Sequence, residues 1–296
     1  MAEITRRRTG QLLRALFDLL ISSPDGLPAR VALQQLESRV TLSNFEKSEY
    51  ESGGRRFDKI VRFATVDCVK AGWLVKDRGT WLVTEEGKKV YGEMPDPEAF
   101  YKQAIKLYRE WRASQPDAEP AAPEESDDSS GKAASITLEE AEEQAWEEIS
   151  QYLHQMNPYD FQSLFADLLR AMGYYVDWVA PPGKDGGLDI LAWPDPLGTK
   201  PPRIKVQVKR QVQSVNIDGV RSFLAVLGED DVGLFVALGG FTRDAYEAAR
   251  NQERRRLTLI DIRRLYDLWI AHYRNLSDEA RRRMPLRPVY FLSPEG

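Results

Sequence analysis

Cysteine and histidine are almost missing from this sequence: 296 residues contain one Cys, at position 68, and two His, at 154 and 272. A single cysteine closes no intrachain disulfide, which fits a reducing compartment such as the cytoplasm. Three such side chains cannot furnish a zinc finger or a thiolate metal site. They also make a histidine-centred nuclease or a Ser-His-Asp hydrolase a poor fit. No Gly-x-x-x-x-Gly-Lys-Ser/Thr loop is present, so no nucleotide cofactor is expected. Nor is there an uncharged apolar run of about 18 residues, so no membrane-spanning segment is expected. The charged opening, Met1 to Arg8, lacks the apolar core of a signal peptide.

Excess positive charge is also lacking, at least in total. The formal net charge is −5, an awkward value for a partner of nucleic acid. Its distribution matters more than its sum. Residues 115–150 hold twelve Asp/Glu and one Lys, and taking that −11 from −5 leaves +6 for the remainder. The stretch Ser114–Ser135, SQPDAEPAAPEESDDSSGKAAS, has no large apolar residue and reads as an acidic flexible linker. It divides the chain into residues 1–113, a connecting helix over 136–156, a second domain over 157–275 and a tail over 276–296.

In the first part, Leu12, Leu13, Leu16, Leu19 and Leu20 mark one face of a helix. Further helices are expected near 28–40 and 55–71. Two β-prone runs then flank Asp77-Arg78-Gly79 as a hairpin, and a trailing helix follows Thr84. Three helices and a hairpin make a mainly helical winged-helix domain. Arg55, Arg56, Lys59 and Arg62 recur along one side of its third helix, a spacing suited to DNA contact.

The second part alternates helices and strands. Asn157-Pro158 opens a helix whose apolar positions Phe161, Leu164, Phe165, Leu168, Leu169 and Met172 keep helical period. The order α-β-β-β-α-β-α-β follows, with strands near 174–179, 188–193, 204–209, 233–238 and 257–260. This predicts an α/β (α+β) domain whose mixed sheet has helices on both faces. In the strand Ile204–Lys209, alternation sets Lys205, Gln207 and Lys209 opposite Ile204, Val206 and Val208. Asp189 opens the preceding strand, after a glycine-rich turn with Lys184, Gly186 and Gly187. A carboxylate, a carboxamide and an amine meeting near such a turn suit phosphodiester hydrolysis. Asp189, Gln207 and the Val208 carbonyl are candidate ligands of Mg2+ (or Mn2+), and Lys209 is a candidate for stabilising charge on the phosphate. Lys184 is a further DNA-binding candidate.

The stretches NPYDFQSLFADLLRAMGYYV, PPGKDGGLDILAW, IKVQVKR, GLFVALGGFTRDAYEAA and LTLIDIRRL, in that order over residues 157–269, resemble the catalytic domain of Mrr-type restriction endonucleases, in the PD-(D/E)XK nuclease superfamily. FDKIVRFATVDCVKAGWLVKDRGTWLVTEEGKKVY resembles the winged-helix domain that precedes it. The resemblance implies a restriction-endonuclease-like fold and a Mg2+-dependent endonuclease directed at methylated or otherwise modified double-stranded DNA. Acting on both strands implies a homodimer or larger assembly. It assigns Asp189 and Lys209 as the metal-binding acid and catalytic lysine. Gln207 stands where many superfamily members have an acid. Gln162 stands where the first helix often presents a glutamate to the site. These glutamines keep two other readings open: a DNA-binding protein using the nuclease fold as a scaffold, and a resolvase-like enzyme on branched DNA.

Overall fold

The computed structural model describes residues 4–50, 54–114, 129–183, 187–252 and 255–291. They fall into two compact units, one holding residues up to Glu147 and the other Glu148–Val289.

The first unit contains α1 (Arg6–Ile21), β1 (Leu27–Pro28), α2 (Ala29–Arg39), α3 (Asn44–Lys47), α4 (Arg56–Lys70), β2 (Leu74–Asp77), β3 (Thr80–Val83), α5 (Glu85–Glu93) and α6 (Pro97–Ala113). Helix α1 starts where the Thr5 hydroxyl accepts the Arg8 N–H, and all five leucines of its apolar stripe are buried. Each contributes about 1.5–3 kcal/mol by leaving water, against Phe17, Phe57, Trp73, Trp81 and Phe100. The strands form one antiparallel sheet in the order β1-β3-β2. Arg78 and Gly79, with φ of 46° and 72°, make the two-residue turn that joins β2 to β3 with the strand twist. This is a winged helix.

Two short elements of this unit, β1 and α3, are not among the expected ones. Two-residue β1 is too short to show a period. Helix α3 begins with a capping box, in which Ser43 and Glu46 satisfy each other's backbone N–H groups. Glu46 also takes Arg8 Nε at 2.7 Å. Burial opposes its ionisation, but the hydrogen bonds from Arg8 and Ser43 hold its carboxyl below the usual range.

Residues 115–128 of the expected linker lie outside the described residues. From Ser129 onward the chain is helical: α7 runs Ser129–Gln155, so the last seven residues assigned to the linker belong to a helix. Cover comes at Ile136, which is buried just beyond this stretch, and composition alone does not disclose that.

The second unit comprises α8 (Pro158–Ala171), β4 (Tyr175–Val179), β5 (Ile190–Trp193), β6 (Arg203–Lys209), α9 (Ile217–Ala225), β7 (Asp231–Ala237), α10 (Arg243–Arg250), β8 (Arg256–Ile260), α11 (Ile262–Ala271) and α12 (Asp278–Arg283), after the end of α7. The sheet order is β4-β5-β6-β7-β8, antiparallel through β6 and parallel beyond it. One apolar layer joins Phe161, Leu164, Phe165 and Leu168 of α8 to Ile190, Val206, Val236 and Trp269. The other joins α9 and α10 to Phe235, Ala237 and Leu259. The sheet is therefore covered on both faces. The expected tail from residue 276 needs correction. Leu276, Ala280 and Met284 are buried in the first of these layers, so α12 is part of the domain.

At the start of β6 and β7, Asp231 receives Arg203 Nε at 2.8 Å and Nη2 at 3.1 Å, Lys205 Nζ at 2.9 Å, and the Gly228 N–H. Burial opposes ionisation of Asp231, yet these donors hold its carboxyl well below its ordinary value of 3.8. A depressed carboxyl stabilises the fold above the unfolded value and ceases to do so as pH falls below it. Asp231→Asn should thus lower stability by about 1–2 kcal/mol at neutral pH, a figure discounted because Arg203 is partly exposed. The deficit should shrink below about pH 4, read as the difference between the two melting curves at each pH.

Candidate active site

The antiparallel pairing Ile190↔Val206, carried one residue further, sets Asp189 across from Gln207. The pairing is extended by backbone bonds, Asp189 N–H to the Val206 carbonyl at 2.9 Å and Ala180 N–H to the Asp189 carbonyl at 2.8 Å. Ile190 and Val206 point into the apolar layer, so strand alternation turns Asp189 and Gln207 to the opposite face. Both are buried, at 7% and 9% exposure. Asp189 Oδ2 accepts the Val208 N–H at 2.7 Å, which fixes the carboxylate against the β6 backbone. A Cβ on Gly187 would lie 3.5 Å from Gln207 Nε2, and Gly187 has φ +84°. The glycine therefore supplies a backbone conformation that other residues rarely adopt, beside that carboxamide.

Lys209 ends β6 with its side chain exposed, while its carbonyl accepts the Leu238 N–H. The next residue, Arg210, turns inward and donates to the His154 carbonyl. Of the four expected site residues, Asp189 and Gln207 thus face each other at the β5–β6 junction, and Lys209 follows two residues further along β6 on the same strand face. Gln162 lies one turn into α8, buried at 6%. Its Nε2 donates to the Ala180 carbonyl at 2.8 Å, and Ala180 in turn holds Asp189. Gln162 therefore reaches Asp189 through the backbone of Ala180 and acts as a brace. Nothing in the sequence named Ala180 as that link.

Among the described residues no group of three or more His, Cys, Asp or Glu converges to hold a metal. Those described residues bring to this junction, as oxygen donors, one carboxylate, one carboxamide and backbone carbonyls. That hard, carboxylate-poor set suits Mg2+, which keeps several waters and takes one or two carboxylates. Lys184 lies outside the described residues, as does Asp185.

The basic helix of the first unit splits in two. Arg55, at the start of α4, pairs with Glu37 at 2.9 Å and Asp58 at 3.1 Å, and those two carboxylates raise its pKa. Arg56 lies 4.5 Å over the Phe45 ring and 5.0 Å over Tyr50, with Lys59 Nζ 5.0 Å over the same tyrosine. Arg62 departs from the expectation of a shared basic surface. It is buried at 6% exposure and bound to Glu139, Glu140 and Glu143 of α7. Its partners come from about eighty positions further along the chain, beyond anything helical spacing can report.

Family models match both units: a restriction endonuclease catalytic domain over residues 153–269 and the Mrr N-terminal domain over 10–93. The chain belongs to the Mrr-type restriction endonucleases. It is 25% identical over 295 residues to the type IV methyl-directed restriction enzyme EcoKMrr of Escherichia coli (strain K12), covering 92% of this chain and 94% of that one. A solved structure of the MspJI restriction endonuclease in complex with a 27-mer oligonucleotide is similar at a TM-score of 0.36 and 17% identity. That match covers 70% of this chain, which spans about half the length of the MspJI chain. Family membership makes this Mrr-type protein a DNA-cleaving hydrolase. No helix among the described residues is long and apolar enough to cross a membrane.

The brace from Gln162 explains why an amide can stand at this position of an Mrr-type domain. An ionised glutamate would lose the donor to Ala180 and set a carboxylate against a carbonyl, costing about 1–3 kcal/mol. Gln162→Glu should therefore melt at lower temperature at neutral pH. Because burial would raise the new carboxyl above its unfolded value, the deficit should fade as pH drops toward about 4. A pH series of thermal melts checks this.

Proposed function

We propose that this chain is a Mg2+-dependent endonuclease that hydrolyses phosphodiester bonds of modified, notably methylated, double-stranded DNA. The supporting observation is the junction at which Asp189, locked to the Val208 N–H, opposes Gln207 beside Gly187 and Lys209 reaches solvent. Asp189, the Gln207 carboxamide oxygen and the Val208 carbonyl would hold the ion. A bound divalent ion supplies Lewis-acid polarisation of the scissile phosphate. Lys209 places an ammonium beside the phosphate oxygens, where negative charge grows as water attacks phosphorus. Gln162 keeps the loop at Ala180, and with it Asp189, in position. Arg55, Arg56 and Lys59 hold the duplex by its phosphates, and Lys184 is a further contact. Two strands require two centres, so the working form is a homodimer or a larger assembly on DNA.

The likeness to a methyl-directed enzyme over nearly the full length of both chains supports the choice of modified DNA. The test is cleavage of matched plasmids carrying or lacking cytosine or adenine methylation, with Mg2+, Mn2+ or EDTA. Cutting only of a methylated plasmid, and only with metal, is the expected result. Absence of cleavage on every plasmid, with salt-sensitive binding intact, would replace this reading with that of a non-cleaving DNA-binding scaffold.

A further inference from the structure

We propose that residues 135–147 of α7 stand in for the phosphate backbone: they occupy the DNA-docking face of the winged helix and must leave it before duplex DNA can bind there. The inference rests on the reading that this unit docks DNA.

The two elements that a winged helix offers to DNA are its third main helix and its hairpin, here α4 and β2–β3. One positive group from each, Arg62 of α4 and Lys76 of the hairpin, is held by carboxylates of α7. The Glu139 carboxylate accepts Arg62 Nη1 at 2.9 Å from α4, and Lys76 Nζ at 2.6 Å and Trp81 Nε1 at 2.8 Å from the hairpin. Glu143 accepts Arg62 Nη2 at 2.6 Å. It also takes the Arg30 backbone N–H at 3.0 Å, at the start of α2, where Pro28 provides no side-chain cap. A guanidinium fork and a backbone N–H at a helix start together form a phosphate-binding arrangement. Glu147 adds an exposed pair with Arg30 at 3.5 Å. Glu139, Glu143 and Glu147 recur every four residues, about 6 Å along a helix, so they present a row of anions on one face.

The hairpin tip is shaped to admit this row. A Cβ on Gly79 would lie 2.8 Å from Glu143 Cγ, so only glycine leaves room for the carboxylate. Ile136, packed with Val66 and Tyr108, anchors the beginning of the segment. Burial is expensive even with partners in place: it lowers the Lys76 pKa despite Glu139. Ions already stripped of water lose little when one anion replaces another, so carboxylate can yield to phosphate. Displacement also accounts for the buried position of Arg62 on an otherwise basic helix.

The test uses the full chain in EDTA with a labelled 30-base-pair duplex. Glu139→Gln/Glu143→Gln should bind ten-fold or more tighter than the parent. In the unaltered chain, saturating duplex should raise amide hydrogen exchange across residues 136–147. Unchanged affinity in the double variant would overturn the proposal. So would retained protection of 136–147 on DNA, which decides the matter alone if the double variant does not fold. Arg56→Ala/Lys59→Ala separates the two ideas. If it weakens binding while 136–147 stays protected, only the displacement fails. If it leaves binding untouched, the docking role of this unit fails.

Discussion

Asp189→Asn is expected to lose DNA cleavage by about a thousand-fold or more, the scale on which removal of a preorganised polar group acts, while the protein stays folded and keeps its affinity for duplex. The choice of Asn follows from the geometry. Asp189 Oδ2 accepts the Val208 N–H at 2.7 Å, and an Asn oxygen can take the same bond. The substitution removes the negative charge without leaving that N–H unpaired. Asp189→Ala has the same effect on cleavage but orphans a backbone donor in a buried setting, at about 1–3 kcal/mol. The pair separates chemistry from folding. Both variants should be inactive in a plasmid assay, and only the alanine variant should show a clear drop in denaturant midpoint. Undiminished cutting by Asp189→Asn would remove Asp189 from the reaction.

The second large effect is expected at Lys209. Its side chain is exposed and its carbonyl carries the structural bond to Leu238, so Lys209→Ala leaves the fold almost untouched. The loss should fall on the rate, by about a hundred- to a thousand-fold, because the ammonium meets charge that develops only as water attacks the phosphate. Single-turnover kinetics with saturating DNA would report this as a lower rate constant with little change in Kd. Lys209→Arg is not conservative here. A planar fork cannot reproduce a compact ammonium, and only partial recovery is expected. A variant that bound DNA tenfold more weakly yet cut at the normal rate would make Lys209 a binding residue.

Much of the candidate site was legible because it rests on local rules. Period two along Ile204–Lys209 separates Val206 from Gln207, and antiparallel pairing with the preceding strand sets Asp189 across from Gln207. The helices of both units obey the same logic: the leucine stripe of α1 and the Phe161-Leu164-Phe165-Leu168 stripe of α8 are spaced so that only one face can be buried. Nothing local, however, indicates that Gln162 reaches Asp189 through Ala180, eighteen residues away. Nor does the run of charges at 278–283 reveal that Ala280 is buried between them.

The basic helix α4 shows where the division lies. Its sequence determined that Arg55, Arg56, Lys59 and Arg62 would occur at helical intervals, since spacing depends only on backbone geometry. The structure alone decided their fates. Arg55 is held by Glu37, Arg56 by aromatic rings, and Arg62 by Glu139 and Glu143 of α7. The same acidic segment that made the net charge look wrong for a DNA enzyme supplies the partners of Arg62. Charge and period are properties of neighbours along the chain. Which charges meet depends on the burial and desolvation of groups far apart in sequence, and those are settled only when the chain has folded.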